Sequence, residues 1–275
     1  MNPELKAKAE LFRSLHVPGR PLLLANAWDA ASARVAERAG VAAVATTSSG
    51  VSWTLGTADG DHVEPSLALA LTARVAAAVA VPVSADIEGG YAADPEGVAG
   101  TVRAVLAAGA VGVNIEDSYD GGPRPLRDPA DQAARIAAAR GAADEAGVPL
   151  FVHARTDTFL RGPGDVAETL ERAAAYLAAG ADGIFVPGVT DPALVAQLAA
   201  GIDAPLGVLG GPGAPPVADL AAAGAARVSL GSAVAEAAYA LVDRAARELL
   251  TSGTYAALAG GIPWGELNAL MLPEG

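Results

Sequence analysis

LAAGAVGVNIED, residues 106–117, runs from the end of an Ala-rich segment through a glycine into a short apolar run that finishes on acids. AERAGVAAVATT (36–47), LAAGADGIFVPG (177–188) and AAAGAARVSLGS (221–232) repeat the pattern. In each, Gly40, Gly109, Gly180 or Gly224 supplies the left-handed turn that ends a helix. Four more apolar runs alternate with these and follow Pro21, Pro82, Pro149 and Pro205 instead. Proline stops helix propagation and tolerates the first position of a strand. The eight runs are 22–25, 42–46, 83–86, 112–115, 150–154, 183–186, 206–209 and 227–230, each followed by enough chain for a crossover helix. Short strands alternating with longer helices predict a parallel sheet, and eight units in about 230 residues predict a (β/α)8 TIM-type barrel. An open doubly wound sheet also accommodates the alternation, but interior layers drawn from alternate strands suit the closed form better.

Asp94-Pro95, Asp128-Pro129 and Asp191-Pro192 each place a capping carboxylate before a first-turn proline, which marks helix starts. We expect one barrel domain over residues 1–275, with a lead-in helix in 1–20, the barrel in 21–250 and a helical tail in 251–275. Tyr255, Leu258, Ile262, Trp264, Leu267, Leu270 and Met271 give that tail an apolar stripe that needs a surface, either its own barrel or a second subunit.

Composition excludes several chemistries. The net charge is −13, from 18 Lys+Arg against 31 Asp+Glu, so nucleic acid and anionic membrane surfaces are poor partners. Cysteine is absent, which removes thiolate nucleophiles and cysteinyl metal sites. Lysine occurs only at Lys6 and Lys8, so the barrel has no Schiff-base amine. His16, His62 and His153 lack the spacing of a zinc-protease helix. A metal is therefore expected on oxygen ligands, Mg²⁺ or Mn²⁺. No basic leader and no apolar stretch of about 18 residues stands in the sequence, so a soluble cytoplasmic protein is expected.

Barrel chemistry sits at the C-terminal ends of strands. After the third run, alternation puts Asp86 and Glu88 on one side; after the fourth, Asn114 and Glu116; after the fifth, His153 and Arg155. Such acids on adjacent strands need protons or a cation to share a confined site. An arginine opposite a metal suits a carboxylate or a developing enolate. Thr46–Gly50 offers hydroxyls and backbone donors, and Asp59 and Asp61 follow in LGTADGD. Each has a plainer reading, the acids as caps or turn residues, Arg155 as an ion-pair member and His153 as a core histidine. Gly210–Gly213 with Gly231-Ser232 occupies the place of a phosphate cup but lacks a GxGxxG fingerprint.

The ordered blocks LANAWDAASARVAERAGVAAVATTSSGVSWTLGTADGD, VPVSADIEGGY, GVNIEDS, HARTD, ADGIFVPG and ARVSLGS resemble the isocitrate lyase/phosphoenolpyruvate mutase superfamily. The resemblance implies a Mg²⁺-dependent barrel acting on small 2-oxo acids, or on acids that yield them, through enolate-like intermediates. It implies tetramers built from dimers that exchange C-terminal helices. It makes Asp86 the direct Mg²⁺ ligand, lets Asp59, Glu88 and Glu116 hold the ion through water, gives the substrate carboxylate to Ser48, Ser49 and Gly50, and places Arg155 on the substrate oxygens.

Departures from the family pattern narrow the activity. Glu88 stands where many members have Asp, and Gly89-Gly90-Tyr91-Ala92 replaces the more usual Gly-Tyr-Gly. EDSYDGGPRPLRDP (116–129) lacks the Lys-Lys-Cys-Gly-His loop of isocitrate and methylisocitrate lyases, which argues against both activities. It also lacks the asparagine-containing gate of phosphonate enzymes, although Tyr119, Asp120 or Arg124 could enter the site. Decarboxylation of an oxaloacetate-like acid needs no general base and is the expected reaction, with water, Tyr91 or Tyr119 as proton donor. Alternatives are C–C or C–P hydrolysis, phosphonomutase-like chemistry, a weakly catalytic binder of a 2-oxoglutarate-like acid, and a sugar-phosphate site at Gly210–Gly213.

Overall fold

The computed structural model describes residues 3–119 and 125–272. The eight strands are β1 (Leu22–Leu24), β2 (Val44–Ala45), β3 (Val83–Asp86), β4 (Gly112–Glu116), β5 (Phe151–Arg155), β6 (Gly183–Phe185), β7 (Leu206–Leu209) and β8 (Arg227–Ser229). Each falls on one of the eight apolar runs. All are parallel, in the order β1-β8-β7-β6-β5-β4-β3-β2. The ends of this sheet meet at a parallel bridge between Ala27 and Thr46, where the Ala27 N–H donates to the Ala45 carbonyl at 2.8 Å. The fold is the (β/α)8 barrel, not the open sheet.

The helices are α1 (Pro3–Ser14), α2 (Ala30–Arg38), α3 (Ser48–Thr54), α4 (Pro65–Ala78), α5 (Pro95–Ala107), α6 (Pro129–Ala146), α7 (Val166–Ala178), α8 (Pro192–Gly201), α9 (Val217–Ala222), α10 (Ala233–Ser252) and α11 (Trp264–Leu270). The three Asp-Pro starts are real caps: Asp94 accepts from Gly97 N, Asp128 from Ala130 N and Asp191 from Leu194 N, at 2.8–3.0 Å. Each such cap contributes about 1 kcal/mol. At the helix ends, Gly109 and Gly180 have φ of 92° and 102°, as the repeat requires.

Small residues set the interior. A Cβ on Gly207 would stand 2.5 Å from the His153 ring, so the glycine leaves room for a buried imidazole that stacks on Phe185 at 5.5 Å. Burial lowers the His153 pKa well below normal, and Arg227 and His16 lower it further. His153 is a core residue, the plainer of its two readings. From α1, the buried Phe12 packs edge-on against His16 and Phe151.

The eighth unit differs. Of the twenty residues of α10 only Ala235 is buried, with Leu250 84% exposed and, farther on, Trp264 81% exposed. α10 leaves most of its surface in solvent, and so does the tail. Among the described residues no helix is long and apolar enough to cross a membrane.

Candidate active site

At the C-terminal ends of the strands opens a cavity of about 250 Å³, lined in part by Asn26, Ser48, Ser49, Asp59, Asp86, Asn114, Arg155 and Arg227. Asp86 is the last residue of β3, in register with Asn114 of β4. Its carboxylate accepts from Ser48 N and from Asn114 Nδ2, both at 3.1 Å, and its own N–H donates to Thr46 Oγ1 at 2.8 Å. One carboxylate thus joins three neighbouring strand ends. Ser49 Oγ donates to Asp59 Oδ2 at 2.7 Å, which brings the Asp59 loop over the same mouth. Gly50 lies behind Ser48 and Ser49; a Cβ there would sit 2.7 Å from the Trp28 Cβ.

Glu88 departs from the sequence expectation. The strand stops at Asp86, and Glu88 has φ 50°, so period-two alternation no longer applies to it. Its Oε2 accepts from Gly60 N at 3.1 Å and from Asp61 N, while Oε1 is buried without a partner. Burial pushes its pKa up to about 7, with Asp86, Asp61 and Asp59 adding to the rise against the Asp61 N–H. Asp61 and Tyr91 share the left-handed backbone, at φ 58° and 52°. Three non-glycine residues in this costly region cluster beside the cavity, as strained backbone does at functional sites.

Arg155 and Glu116 end paired strands, with Nη1 and Oε2 2.7 Å apart. Asp157 takes the other side of the guanidinium through Nε at 2.6 Å and Nη2 at 2.8 Å. Burial opposes the Arg155 charge, but Glu116 and Asp157 outweigh it and raise its pKa. Glu116 is pushed well above the usual carboxylate range by burial, which its arginine opposes and Asp157, Asp86 and Asp59 reinforce. Of the acids, Asp59 and Asp86 line the cavity; Glu88 and Glu116 stand behind them.

Tyr91 and Tyr119 do not line the cavity. Both face a neighbouring hollow with Asp61, Arg127 and Arg135, where Arg127 stacks over the Tyr119 ring at 4.2 Å and Tyr91 Oη donates to the Asp86 carbonyl at 3.3 Å. Asp120 and Arg124 lie outside the described residues. The Gly210–Gly213 turn lines a separate hollow with Glu236, and no Lys or Arg is among its described lining residues, which disfavours a phosphate there.

The donor set fits a hard divalent ion. It is all oxygen, it crowds acids whose pKa values burial has raised, and it leaves Glu88 Oε1 and Asn114 Oδ1 buried and unpaired. Among the described residues no three Asp, Glu or His side chains converge closely enough to ligate an ion by themselves. That suits Mg²⁺, which keeps several waters and takes one or two carboxylates.

The phosphoenolpyruvate phosphomutase family model matches residues 12–250. The chain belongs to that family. It is 39% identical over 262 residues to the uncharacterized protein Rv1998c of Mycobacterium tuberculosis, covering 95% of this chain and 96% of the relative. Among solved structures, a Burkholderia cenocepacia J2315 protein described provisionally as a lyase/mutase superposes with TM-score 0.91 at 37% identity, over 98% of this chain and 96% of that one. A phosphonopyruvate hydrolase complexed with oxalate and Mg²⁺ gives 0.83 at 26%, over 96% and 94%. Family relatives at lower identity or shorter coverage include 2-methylisocitrate lyase of Escherichia coli, 30% identical over 74% of this chain and 69% of its own, and oxaloacetate decarboxylase of Rhodopseudomonas palustris, 35% over 50% and 48%. Membership of the phosphoenolpyruvate phosphomutase family places the chain with lyases and mutases that act on C–C or C–P bonds.

Sequence reasoning missed Asn26 and Arg227. Asn26 Oδ1 accepts from Leu230 N and Gly231 N, and its Nδ2 donates to Thr46 O at 3.0 Å, so it ties three strand ends together. Its only sequence signal was its place one residue beyond the first apolar run.

Proposed function

We propose that the chain is a Mg²⁺-dependent lyase that cleaves a small 2-oxo acid of the oxaloacetate type, with decarboxylation as its reaction. The observation that carries this reading is Asp86, facing a cavity with Asp59 and Arg155 while no Lys, Cys or His lines the wall among the described residues. Loss of CO₂ needs no base to start it, so such a site is sufficient. Asp86 would hold the ion, which would supply a Lewis acid for negative charge developing on the keto oxygen of the 2-oxo acid.

The chain's own residues then have defined tasks. Asp86 is aimed by Ser48 and Asn114; Asp59, Glu88 and Glu116 would hold the ion through water. Ser48–Gly50 receives the substrate carboxylate, and Arg155 faces the keto oxygen, held there by Glu116 and Asp157. Preorganised charge of this kind contributes about 3 kcal/mol per well-placed donor. With Tyr91 and Tyr119 turned to the neighbouring hollow, the proton that replaces CO₂ comes from water. The absence of cysteine sets this chain apart from methylisocitrate cleavage.

Pyruvate and CO₂ release from oxaloacetate with Mg²⁺, well above the rate of the ion alone, is the expected result. Background turnover with tight oxalate binding would instead describe a binding protein. Consumption of phosphonopyruvate in place of oxaloacetate would support C–P cleavage, the second reading favoured by the hydrolase relative.

We further propose a homotetramer of helix-exchanged dimers, in which α10 and the tail cover a partner's barrel. Their exposure supports it. Light scattering on the eluted protein should give about four times the 27.1 kDa chain; a monomer at micromolar concentration would contradict the exchange.

A further inference from the structure

Arg227 opens β8, is 4% exposed, and lines the cavity with Ser84. Its Nε and Nη1 are buried without a hydrogen-bond partner, and its guanidinium has no ion pair within 4 Å among the described residues. The other deeply buried arginines each have an acid within 4 Å, although Arg127 Nε and Arg135 Nε also lack a hydrogen bond. Arg172 pairs with Asp117 and Glu168; Arg135 donates to the carbonyls of Ala92 and Ala93. Arg155, the other arginine of the cavity, has Nε and both Nη atoms engaged by Asp157 and Glu116. Burial lowers the Arg227 pKa only to about 10, so it is cationic at neutral pH. The buried His153 and His16 beside it bring no negative charge. Asp86 is the acid that acts on it, and that carboxylate is already held by Ser48 and Asn114. A desolvated cation without a partner is strongly unfavourable, and the guanidinium of an arginine that lines a cavity matches a carboxylate.

We propose that Arg227 binds a second carboxylate of the substrate, so that the site selects 2-oxo diacids over 2-oxo monoacids. The proposal rests on reading the cavity as a 2-oxo acid site and names the substrate class within it. One carboxylate goes to the Ser48–Gly50 side and the other to Arg227. A neutral side chain at position 227 would leave the second charge desolvated and unpaired.

Displacement of labelled oxalate from the Mg²⁺-loaded protein tests this with two pairs matched in chain length: oxaloacetate against 2-oxobutyrate, and 2-oxoglutarate against 2-oxopentanoate. In the wild type at least one diacid should displace oxalate at a concentration tenfold or more below its monoacid. Arg227→Met should bring that pair within about twofold, and Arg227→Lys should keep part of the preference. The ligand-free Arg227→Met protein should melt no lower than wild type, because it loses an unpaired buried charge; a purely structural arginine would lower the melt and leave the ratio unmoved. Equal displacement by both members of each pair in the wild type, or a diacid preference that survives in both variants, overturns the assignment and leaves the 2-oxo acid reading standing. Failure of oxalate and all four acids to bind the wild type overturns that reading and the assignment with it.

Discussion

Replacing Asp86 by asparagine is expected to lower kcat/KM for oxaloacetate by about 10³-fold at saturating Mg²⁺, while the far-ultraviolet spectrum stays that of the wild type. Asp86 is the one carboxylate that faces the cavity from a strand and is itself aimed by two donors, Ser48 N and Asn114 Nδ2, at 3.1 Å. Asparagine keeps the shape and removes the charge. Its amide must also turn one N–H toward an existing donor, which costs about 1–2 kcal/mol of stability. The loss of activity is therefore far larger than the loss of stability explains. Activity within tenfold of wild type would remove Asp86 from the role given to it.

Arg155→Met should damage both fold and activity. The guanidinium is clasped by Glu116 at 2.7 Å and by Asp157, which is fully buried. Without it two acids are left in a poorly solvated site, a cost of about 3–5 kcal/mol when one partner of a buried pair is removed. For a chain of this size that lowers Tm by roughly 10 °C. Activity should fall by at least about 10²-fold from loss of the charge that we propose faces the keto oxygen. Adding Glu116→Gln to Arg155→Met should recover part of the Tm and none of the activity. Recovery of both would make Arg155 an ion-pair residue alone.

The strands were legible because their signals are local. Val83–Asp86 and Leu206–Leu209 match the apolar runs residue for residue, and the glycine and Asp-Pro punctuation lies within a few residues of each boundary. Asp86 and Arg155 were legible for the same reason, as polar residues closing an apolar run. Glu88 shows where local reasoning ends. Alternation assumes an extended chain, and the left-handed backbone at Glu88 turns the carboxylate to Gly60 and Asp61 instead. Tyr91, also left-handed, is directed to the neighbouring hollow.

Arg227 was invisible for another reason. It begins a strand, where sequence offers only an isolated charge before Val228, and its meaning comes from the register of β8 between β1 and β7. The glycine at position 207, directly beside it in that register, makes room for the His153 ring rather than for a counter-ion. The bareness of α10 follows from tertiary packing as well, since its sequence is as amphipathic as that of helices that do bury a face.

Binding of Mn²⁺, followed by electron paramagnetic resonance, tests whether Asp86 holds a divalent ion. One ion should bind per wild-type chain, displaced by Mg²⁺, held more tightly in the presence of oxalate, and weakened at least about tenfold by Asp86→Asn. No stoichiometric binding, or binding that Asp86→Asn leaves unchanged, would contradict that role for Asp86.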